Sequence, residues 1–342
     1  MLLILTLIIG FLLLGFIGLY FGAKFAIIGL ESIANRLGIS HLLVGLTILA
    51  IGTSLPEITV SIMGGIDKLT GIDTTIDGIV IGNKIGSFLT QITLILGILG
   101  ISQSIMVSKW ELRREGPMLF ISIFIFLIFA IDGVLSRIEG ILMIIAYIAY
   151  LLIIIWSEKK IIKTGLEIHN MKEERLQTKD FEIIENPIKT SSTLKEIGIL
   201  LIGLFILLIG AEFTIISAHR LATELNIPEN VIGLLIVGIG TSLPELVADL
   251  TALRRRSCGI AIGDILGSNI CDILLATGSG VLFIDFNVTP ILLFFDIPLL
   301  LVGLSIAISF LWSQKKLKQW EAGLLIGFYG FYVILKLMFF QI

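Results

Sequence analysis

Apolar runs of about 20 residues recur along the whole chain, and they limit its fold more than any other feature. A run of that length is long enough to cross the hydrocarbon of a bilayer as an α-helix. Backbone groups find no water there, so the chain must satisfy its own hydrogen bonds. Hydrophobic residues make up 56% of the 342 positions and only 15% are charged, which no soluble core of this size could accommodate. The sequence therefore predicts an all-α polytopic membrane protein.

We predict ten transmembrane helices. Their approximate bounds are 2–28, 41–65, 79–101, 117–132, 138–156, 197–219, 230–252, 259–284, 289–312 and 320–340. The first run lacks a basic flank and a small-residue cleavage site, so it is interpreted as a retained span and not as a signal peptide. With loops assigned to alternate sides, 18 Lys and Arg residues fall on one side and only Lys68, Arg137 and Arg220 on the other. This imbalance predicts a cell-membrane protein with both termini extracellular and segment 157–196 cytoplasmic.

The hexapeptide GTSLPE occurs twice, at residues 52–57 and 240–245. The match extends without gaps over 22–57 and 210–245, where 18 of 36 positions are identical, and GNKIGS (82–87) then matches GDILGS (263–268). Apolar composition alone does not reproduce an ordered set of Gly, Thr, Ser, Pro and Glu. The chain is interpreted as a duplication.

Each copy of the duplication contains five predicted spans. Since five is odd, the second copy enters the membrane from the opposite side, which predicts two inverted-topology five-helix repeats. We place the first repeat at 1–156, a solvated linker at 157–196 and the second repeat at 197–342. Inverted repeats are a transporter architecture in which the substrate site lies near the midplane, where the repeats meet.

Each hexapeptide gathers oxygen atoms at one place. In a helix, Thr53 and Ser54 would share a face with Glu57. Pro56 cannot donate to the Gly52 carbonyl, so its turn is expected to open and free carbonyl oxygens. The next helix of each half adds Ser87 with Gln91, and Ser268 with Asp272, each pair four residues apart. The second hexapeptide repeats the set with Thr241, Ser242 and Glu245.

These side chains together predict a cation site. None of them is His or Cys, and hard oxygen ligands favour Ca2+, Na+ or Mg2+, with Ca2+ preferred over Mg2+ on size and hydration. The alternative is that the acids are paired within the bundle. No predicted span offers an Arg or Lys at a matching depth for Glu57, Glu245 and Asp272, so a cation from solution is the expected partner.

Other polar positions are expected to have smaller roles. Asp249 is interpreted as a structural ion pair with Arg254–Arg256 or as an accessory ion group, and Asp264 as a helix N-cap. Lys84 is expected either to extend outward or to offset the negative field of the site. The remaining acids Asp132, Glu212, Asp285 and Asp296 are expected at the ends of spans, and Cys258 and Cys271 as ordinary buried residues.

The paired G-T-S-L-P-E blocks, each followed by G-[ND]-x-[IL]-G-S, resemble the α-repeats of the calcium/cation antiporter superfamily, in particular its prokaryotic sodium/calcium exchanger branch. The α-repeat regions then fall at about 41–101 and 230–284. The resemblance implies ten helices in two inverted halves. It also implies exchange of several Na+ for one Ca2+ by alternating access, with the first and sixth helices sliding past the ion-carrying core.

The resemblance also implies which residues bind the ions. The implied ligands are Thr53, Ser54, Glu57, Ser87, Thr241, Ser242, Glu245, Ser268 and Asp272, with the backbone carbonyls of Ala50 and Gly238. Related exchangers usually carry Asn or Asp where this chain has Gln91, which keeps an amide one methylene further out and leaves the coupling ion open.

The sequence thus predicts a Na+/Ca2+ antiporter that is not an enzyme, needs no cofactor, binds no nucleic acid and works as a monomer in the bilayer. The alternative is a proton-coupled antiporter for Ca2+ or another divalent cation, since carboxylates also bind H+. A passive cation channel gives no reason for inverted repeats. An intramembrane protease is disfavoured because AIGD (261–264) misses the first glycine of a G-x-G-D pattern and no H-E-x-x-H occurs.

Overall fold

The computed structural model describes residues 2–36, 49–72, 76–103, 105–107, 109–172, 193–254, 258–314 and 316–339. Within them the fold is all-helical, apart from four two-residue strands. The helices before the central segment are Leu2–Arg36, Ala50–Thr53, Leu55–Thr70, Asp77–Leu89, Leu96–Ser102, Lys109–Ala130 and Arg137–Lys172. Those after it are Thr193–Leu225, Glu229–Ile232, Gly238–Thr241, Leu243–Arg254, Cys258–Cys271, Thr277–Val281, Ile297–Gln314 and Gln319–Phe339.

Eight helical stretches in the described residues are long and apolar enough to cross a membrane. They are Ile4–Gly29, Asp77–Ser102, Arg137–Ser157, Lys195–Leu225, Glu229–Arg254, Ala261–Val281, Leu292–Ser313 and Gln319–Phe339. The predicted span 117–132 lies in helix Lys109–Ala130, which is too charged at its start to be among the eight. The predicted span 41–65 begins at residues outside the described ones and continues as Ala50–Thr53 and Leu55–Thr70. Eight of the ten predicted spans therefore correspond to membrane-length apolar helices.

Large apolar side chains cover the outer faces of these helices. Ile128, Trp156 and Phe205 are 65%, 67% and 63% exposed. Such surface is stable against lipid and not against water. Polar side chains are instead concentrated inside, on the two hexapeptide helices and on Asp77–Leu89 and Cys258–Cys271.

Both hexapeptides interrupt their helices at the serine two residues before the proline. Ser54 has φ −75° and ψ 2°, and Ser242 has φ −84° and ψ 5°. These angles lie outside the α region, because Pro56 and Pro244 lack the N–H that would continue the hydrogen-bond ladder. The expected opening at proline is confirmed at both copies.

Helix Leu2–Arg36 packs along helix Thr193–Leu225 through glycines. A Cβ added at Gly22 would lie 3.0 Å from the Gly203 carbonyl oxygen, and one at Gly15 would lie 3.0 Å from that of Gly210. Small residues at these crossings let two backbones approach closely, which is how membrane helices pack without a hydrophobic driving force. Gly15 matches Gly203 and Gly22 matches Gly210 at the 188-residue offset, so the two contacts exchange under the duplication.

The four short strands form two antiparallel pairs. Ile105–Met106 pairs with Lys316–Leu317, with Ile105 opposite Leu317. Val134–Leu135 pairs with Phe286–Asn287, with Leu135 opposite Phe286. Offsets of 181 and 182 residues convert the first pair into the second. Loops that pair in this way must lie on the same side of a membrane.

A buried tyrosine binds a buried acid in each half. Tyr150 donates to Glu115, which also accepts from Arg114 Nε at 2.7 Å. In the second half, Tyr332 donates to Asp296 at 2.6 Å, and Lys336 also contacts that carboxylate. Asp296 lies near the start of the membrane-length stretch Leu292–Ser313, as expected, and its side chain is fully buried. The ion pair with Lys336 makes that burial tolerable.

Three further expectations concern single residues. Asp132 and Asp285 are exposed beside strand ends, as expected. Glu212 lies half-buried in the interior of helix Thr193–Leu225, so for this residue a place at the end of a span is wrong. Cys258 and Cys271 are free, and Cys271 is buried while Cys258 is partly exposed.

Candidate functional site

All twelve sequence-predicted site residues lie in the buried polar centre of the molecule. The set consists of Ala50, Thr53, Ser54, Glu57, Ser87, Gln91, Gly238, Thr241, Ser242, Glu245, Ser268 and Asp272, and each is buried. The interrupted helices position the hexapeptide residues, while the helices that follow them bring Ser87 with Gln91 and Ser268 with Asp272 from the other side.

Ser87 is the hub of the polar cluster. Its Oγ lies 3.2 Å from Glu57 Oε1, 3.2 Å from Asp272 Oδ2 and 2.9 Å from Ser242 Oγ. These partners come from both halves of the duplication. The structure therefore brings together groups that are up to 185 residues apart in the chain.

The side chain of Gln91 forms hydrogen bonds between the two helices that follow the hexapeptides. Its Nε2 donates to Asp272 Oδ2 at 3.2 Å and to Ser87 Oγ at 3.0 Å, while Ser268 Oγ donates to its Oε1 at 2.9 Å. Gln91 and Asp272 occupy matching positions, and each lies in a π-helical segment, Thr90–Ile95 and Asp272–Ala276. Such segments widen a helix locally and occur often at functional sites. Sequence patterns did not indicate them.

The two threonines of the hexapeptides make equivalent contacts with the opposite half. Thr53 Oγ1 donates to Asp264 Oδ1 at 3.2 Å, and Thr241 Oγ1 donates to Asn83 Oδ1 at 2.9 Å. The Thr53 hydroxyl thus donates to Asp264 and not to Glu57, although the side chains of Thr53 and Glu57 would share a face in an unbroken helix. The N-cap expected at Asp264 is wrong, because this residue lies in the interior of helix Cys258–Cys271.

The backbone carbonyls of Ala50 and Gly238 lie beside hydroxyl groups of the same cluster. The Ala50 oxygen accepts from the Ser54 backbone N–H at 3.2 Å and from Thr53 Oγ1 at 3.3 Å. The Gly238 oxygen accepts from Ser242 Oγ at 2.9 Å and from Thr241 Oγ1 at 3.4 Å. Both carbonyls therefore belong to the polar interior and not to the lipid-facing surface.

Buried carboxylate oxygens without a hydrogen-bond partner are concentrated here. In the described part of the chain, those that belong to this cluster are Glu57 Oε2, both oxygens of Glu245, Asp272 Oδ1, both oxygens of Asp249 and Asp264 Oδ2. An unpartnered charged group in a low-dielectric interior costs several kcal/mol at least. These oxygens are the ones a cation would satisfy.

Asp249 lies against Asp264 in the second half. The two carboxyl groups lie within hydrogen-bonding reach of each other, and Arg255 and Arg256 lie outside the described residues. The ion pair considered for Asp249 therefore stays a prediction.

Lys84 is fully buried, and its Nζ donates to the backbone oxygen of Glu57 at 2.5 Å. Extension of the side chain to the outside is thus wrong. The alternative expectation, a positive charge beside the acids, describes its position. A lysine inside an otherwise apolar run is the only sequence signal for it.

No three Asp, Glu, His or Cys side chains of the described residues converge tightly enough to hold a metal ion by themselves. A cation here would need the hydroxyl, amide and carbonyl oxygens as well as the acids. Oxygen sets of that mixed kind suit Ca2+ and Na+.

Comparison with known proteins gives consistent matches over nearly the whole chain. A family model described as sodium/calcium exchanger protein matches residues 7–156 and 195–338. An uncharacterized membrane protein of Methanocaldococcus jannaschii is 33% identical over 94% of this chain and 95% of its own length. Sodium/calcium exchanger MaX1 of Methanosarcina acetivorans is 31% identical, over 95% of this chain and 97% of that protein.

A solved structure has the same fold. It is the sodium-calcium exchanger NCX_Mj soaked with 2.5 mM Na+ and 10 mM Sr2+, with a TM-score of 0.62 and 31% sequence identity. The match covers 96% of this chain and 99% of that one.

Proposed function

The chain belongs to the sodium/calcium exchanger protein family, and from that membership we propose that it is a secondary active antiporter exchanging Na+ for Ca2+ by alternating access. The observation that carries the proposal is the cluster of unpartnered carboxylate oxygens on Glu57, Glu245 and Asp272. The family is one of exchangers, and the site supplies the oxygen ligands that a transported cation needs.

The ligands of the transported ions are the twelve buried residues of the cluster. Gln91 donates to Asp272, and the single hydroxyl hydrogen of Ser87 lies within reach of both Asp272 and Glu57, so these carboxylates are positioned before an ion arrives. Glu245 has no such hydrogen bond and is the acid freest to follow the ion. Preorganised oxygens lower the ordering cost of binding.

The negative charge of the carboxylates explains why transport is an exchange of ions. Like-charged carboxylates repel strongly in a low-dielectric interior, so the site cannot cross the bilayer empty and ionised. Ca2+ or a set of Na+ ions neutralises it, and the two sets share Glu57 and Glu245, so they exclude each other. Only an occupied site then passes the apolar barrier, which makes the exchange obligatory.

The architecture proposed for this cycle is ten helices in two inverted five-helix repeats, with boundaries at 1–156, 157–196 and 197–342. Its support is the exchange of contacts under the duplication, in the strand pairs, the tyrosine–acid pairs and the threonine contacts. The glycine-lined pair Leu2–Arg36 and Thr193–Leu225 moves as one unit past the site. A single chain supplies both halves of the site, so the unit of function is the monomer.

Ca2+ uptake into liposomes loaded with Na+ tests the proposal. We expect uptake that collapses when internal Na+ is replaced by choline, and that falls at least about 100-fold in Glu57→Gln and Glu245→Gln because each removes a shared ligand. Glu212→Gln, which alters a half-buried acid elsewhere in a span, is the matched control and should transport normally. Undiminished Na+-driven uptake by both site variants would refute the ligand assignment.

Proton coupling is the second candidate, because the unpartnered carboxylate oxygens accept H+ as readily as a metal ion. Imposing a pH gradient in place of the Na+ gradient, in the same liposomes, separates the two. Uptake driven by pH and indifferent to Na+ would replace Na+ with H+ as the coupling ion.

A further inference from the structure

Lys84 places a positive charge inside the acidic cluster without consuming its ligands. The side chain has no exposed surface, and Nζ donates to the backbone oxygen of Glu57, not to a carboxylate. Glu57 Oε2 and Asp272 Oδ1 consequently keep no partner among the described residues. An ordinary buried ion pair would have used those oxygens, as Lys336 does with Asp296.

The position of this charge is defined by the helix that carries it. Lys84 lies three residues before Ser87, so both project from the same face of Asp77–Leu89. Ser87 touches the carboxylates of Glu57 and Asp272, and these are the acids that act most strongly on the Lys84 ammonium. The matching position of the second half is Ile265, so the charge is present once and not twice.

With Lys84 included, the net charge of the site differs from the summed charge of its carboxylates. Glu57, Glu245 and Asp272 together carry three negative charges when ionised, and the lysine reduces the sum to two. A site that must cross the apolar barrier close to neutral is balanced by one Ca2+ or by two Na+.

Building on the proposed function, we infer that Lys84 stands in for one transported cation and sets the exchange at two Na+ per Ca2+ with no net charge moved. The count covers the three acids of the proposed ligand set, and Asp249 and Asp264 face each other in the opposite half, outside that set. Without the lysine charge the three acids carry three negative charges, which three Na+ balance, so the count rises by one Na+ and each exchange moves one charge.

The test uses liposomes with a fixed tenfold Na+ concentration gradient and a membrane potential clamped at zero by K+ and valinomycin. It measures the ratio of the Ca2+ concentrations on the two sides of the membrane at which net Ca2+ flux stops. Each Na+ exchanged for a Ca2+ multiplies the Ca2+ ratio at balance by ten. An exchange of two Na+ per Ca2+ therefore balances at a ratio of about 100-fold, and one of three Na+ per Ca2+ at about 1000-fold. We expect about 100-fold for the native chain and no shift when the potential is clamped about 60 mV away, where one moved charge would give about tenfold.

The variants then assign the count to the lysine. Lys84→Met should balance at about 1000-fold, and Lys84→Arg, which keeps the charge, at about 100-fold. Lys24→Met removes an exposed lysine within a span and should also stay at about 100-fold. A loss of packing alone would lower the rate of uptake without moving the balance point.

Two results would overturn the inference. One is a native balance near 1000-fold that shifts with potential, and this result also decides the matter if Lys84→Met does not fold. The other is a Lys84→Met balance equal to that of the native chain. Both leave Na+/Ca2+ exchange itself intact, whereas absence of any Na+-driven Ca2+ flux in the native chain removes the proposed function and the inference together.

Discussion

Asp264 and Asn83 occupy matching positions in the two halves, and each accepts a hydrogen bond from the threonine of the opposite hexapeptide. Asp264 Oδ2 and Asn83 Nδ2 are both buried without a hydrogen-bond partner among the described residues, so the two positions differ in charge and not in the number of bonds made. The aspartate therefore contributes a charge that the contact with Thr53 does not need.

Asp264→Asn should retain the Thr53 contact and raise the thermal stability of the detergent-solubilised protein. The reason is that it removes an unpartnered buried charge, whose burial costs about 1–3 kcal/mol or more. Asp264→Ala, in contrast, leaves the Thr53 hydroxyl without its acceptor. A melting temperature for Asp264→Asn below that of Asp264→Ala would contradict this account.

At the scale of the elements, helix Asp77–Leu89 approaches the π-helical segment Gly233–Val237 through a glycine. A Cβ at Gly86 would lie 2.0 Å from the backbone oxygen of Leu234, and one at Gly82 would lie 2.7 Å from that of Asn230. The absence of a side chain at Gly82 and Gly86 permits this close approach. For Gly263 and Gly267, the matching partner segment 42–46 lies outside the described residues.

Gly86→Ala is expected to destabilise the protein by several kcal/mol, because backbone atoms and not a flexible side chain occupy the space. Gly323→Ala provides the matched control, since nothing lies within 4 Å of its added methyl group. There, alanine should be neutral or stabilise by up to about 1 kcal/mol, by helix propensity. Equal melting temperatures for the two variants in detergent would show that the helices separate at little cost.

The interruptions at Ser54 and Ser242 also belong to this scale. Pro56 and Pro244 predicted that each helix opens, but not that the hydroxyls of Thr53 and Thr241 would turn to the opposite half. A proline determines where a backbone hydrogen bond is lost. Which group the nearby hydroxyls then bond to depends on a neighbouring helix that is far away in sequence.

At the scale of the whole molecule, the strand pairs relate loops on each side of the membrane. Ile105–Met106 with Lys316–Leu317 would lie on the cytoplasmic side, and Val134–Leu135 with Phe286–Asn287 on the outside. The ten-span topology requires this arrangement, because each pair joins two loops that it assigns to the same side.

Cysteine labelling in intact cells tests the topology. In a background with Cys258→Ser, a membrane-impermeant maleimide should label Asp132→Cys from outside and Ser313→Cys only after the cells are opened, since both positions are exposed. Cys271 is buried and should stay unlabelled in either case. Labelling of both introduced cysteines from the same side would rule out the proposed topology.

The tyrosine–acid pairs lie in different halves, so their contributions to stability should be independent. Tyr150→Phe and Tyr332→Phe should each cost about 1–3 kcal/mol, because each strips a hydrogen bond from a buried acid. The effects of two substitutions in separate networks on the free energy of unfolding add within about 0.5 kcal/mol. The Tyr150→Phe, Tyr332→Phe double variant should therefore lose the sum of the two single losses. Strong non-additivity in denaturation would indicate that the two networks are coupled.

The sequence by itself determined the class, showed the internal duplication and indicated the chemical types of the proposed site residues. Membrane helices are specified by length and apolarity, which are local properties, and two ordered copies of GTSLPE are visible without a fold. The tertiary structure alone decided the partners. It placed Lys84 on the Glu57 backbone, Gln91 on Asp272, and Asp264 inside a helix beneath Thr53. The physical reason is that a buried polar group satisfies itself with whatever packing brings near, across separations of up to 239 residues that no local pattern encodes.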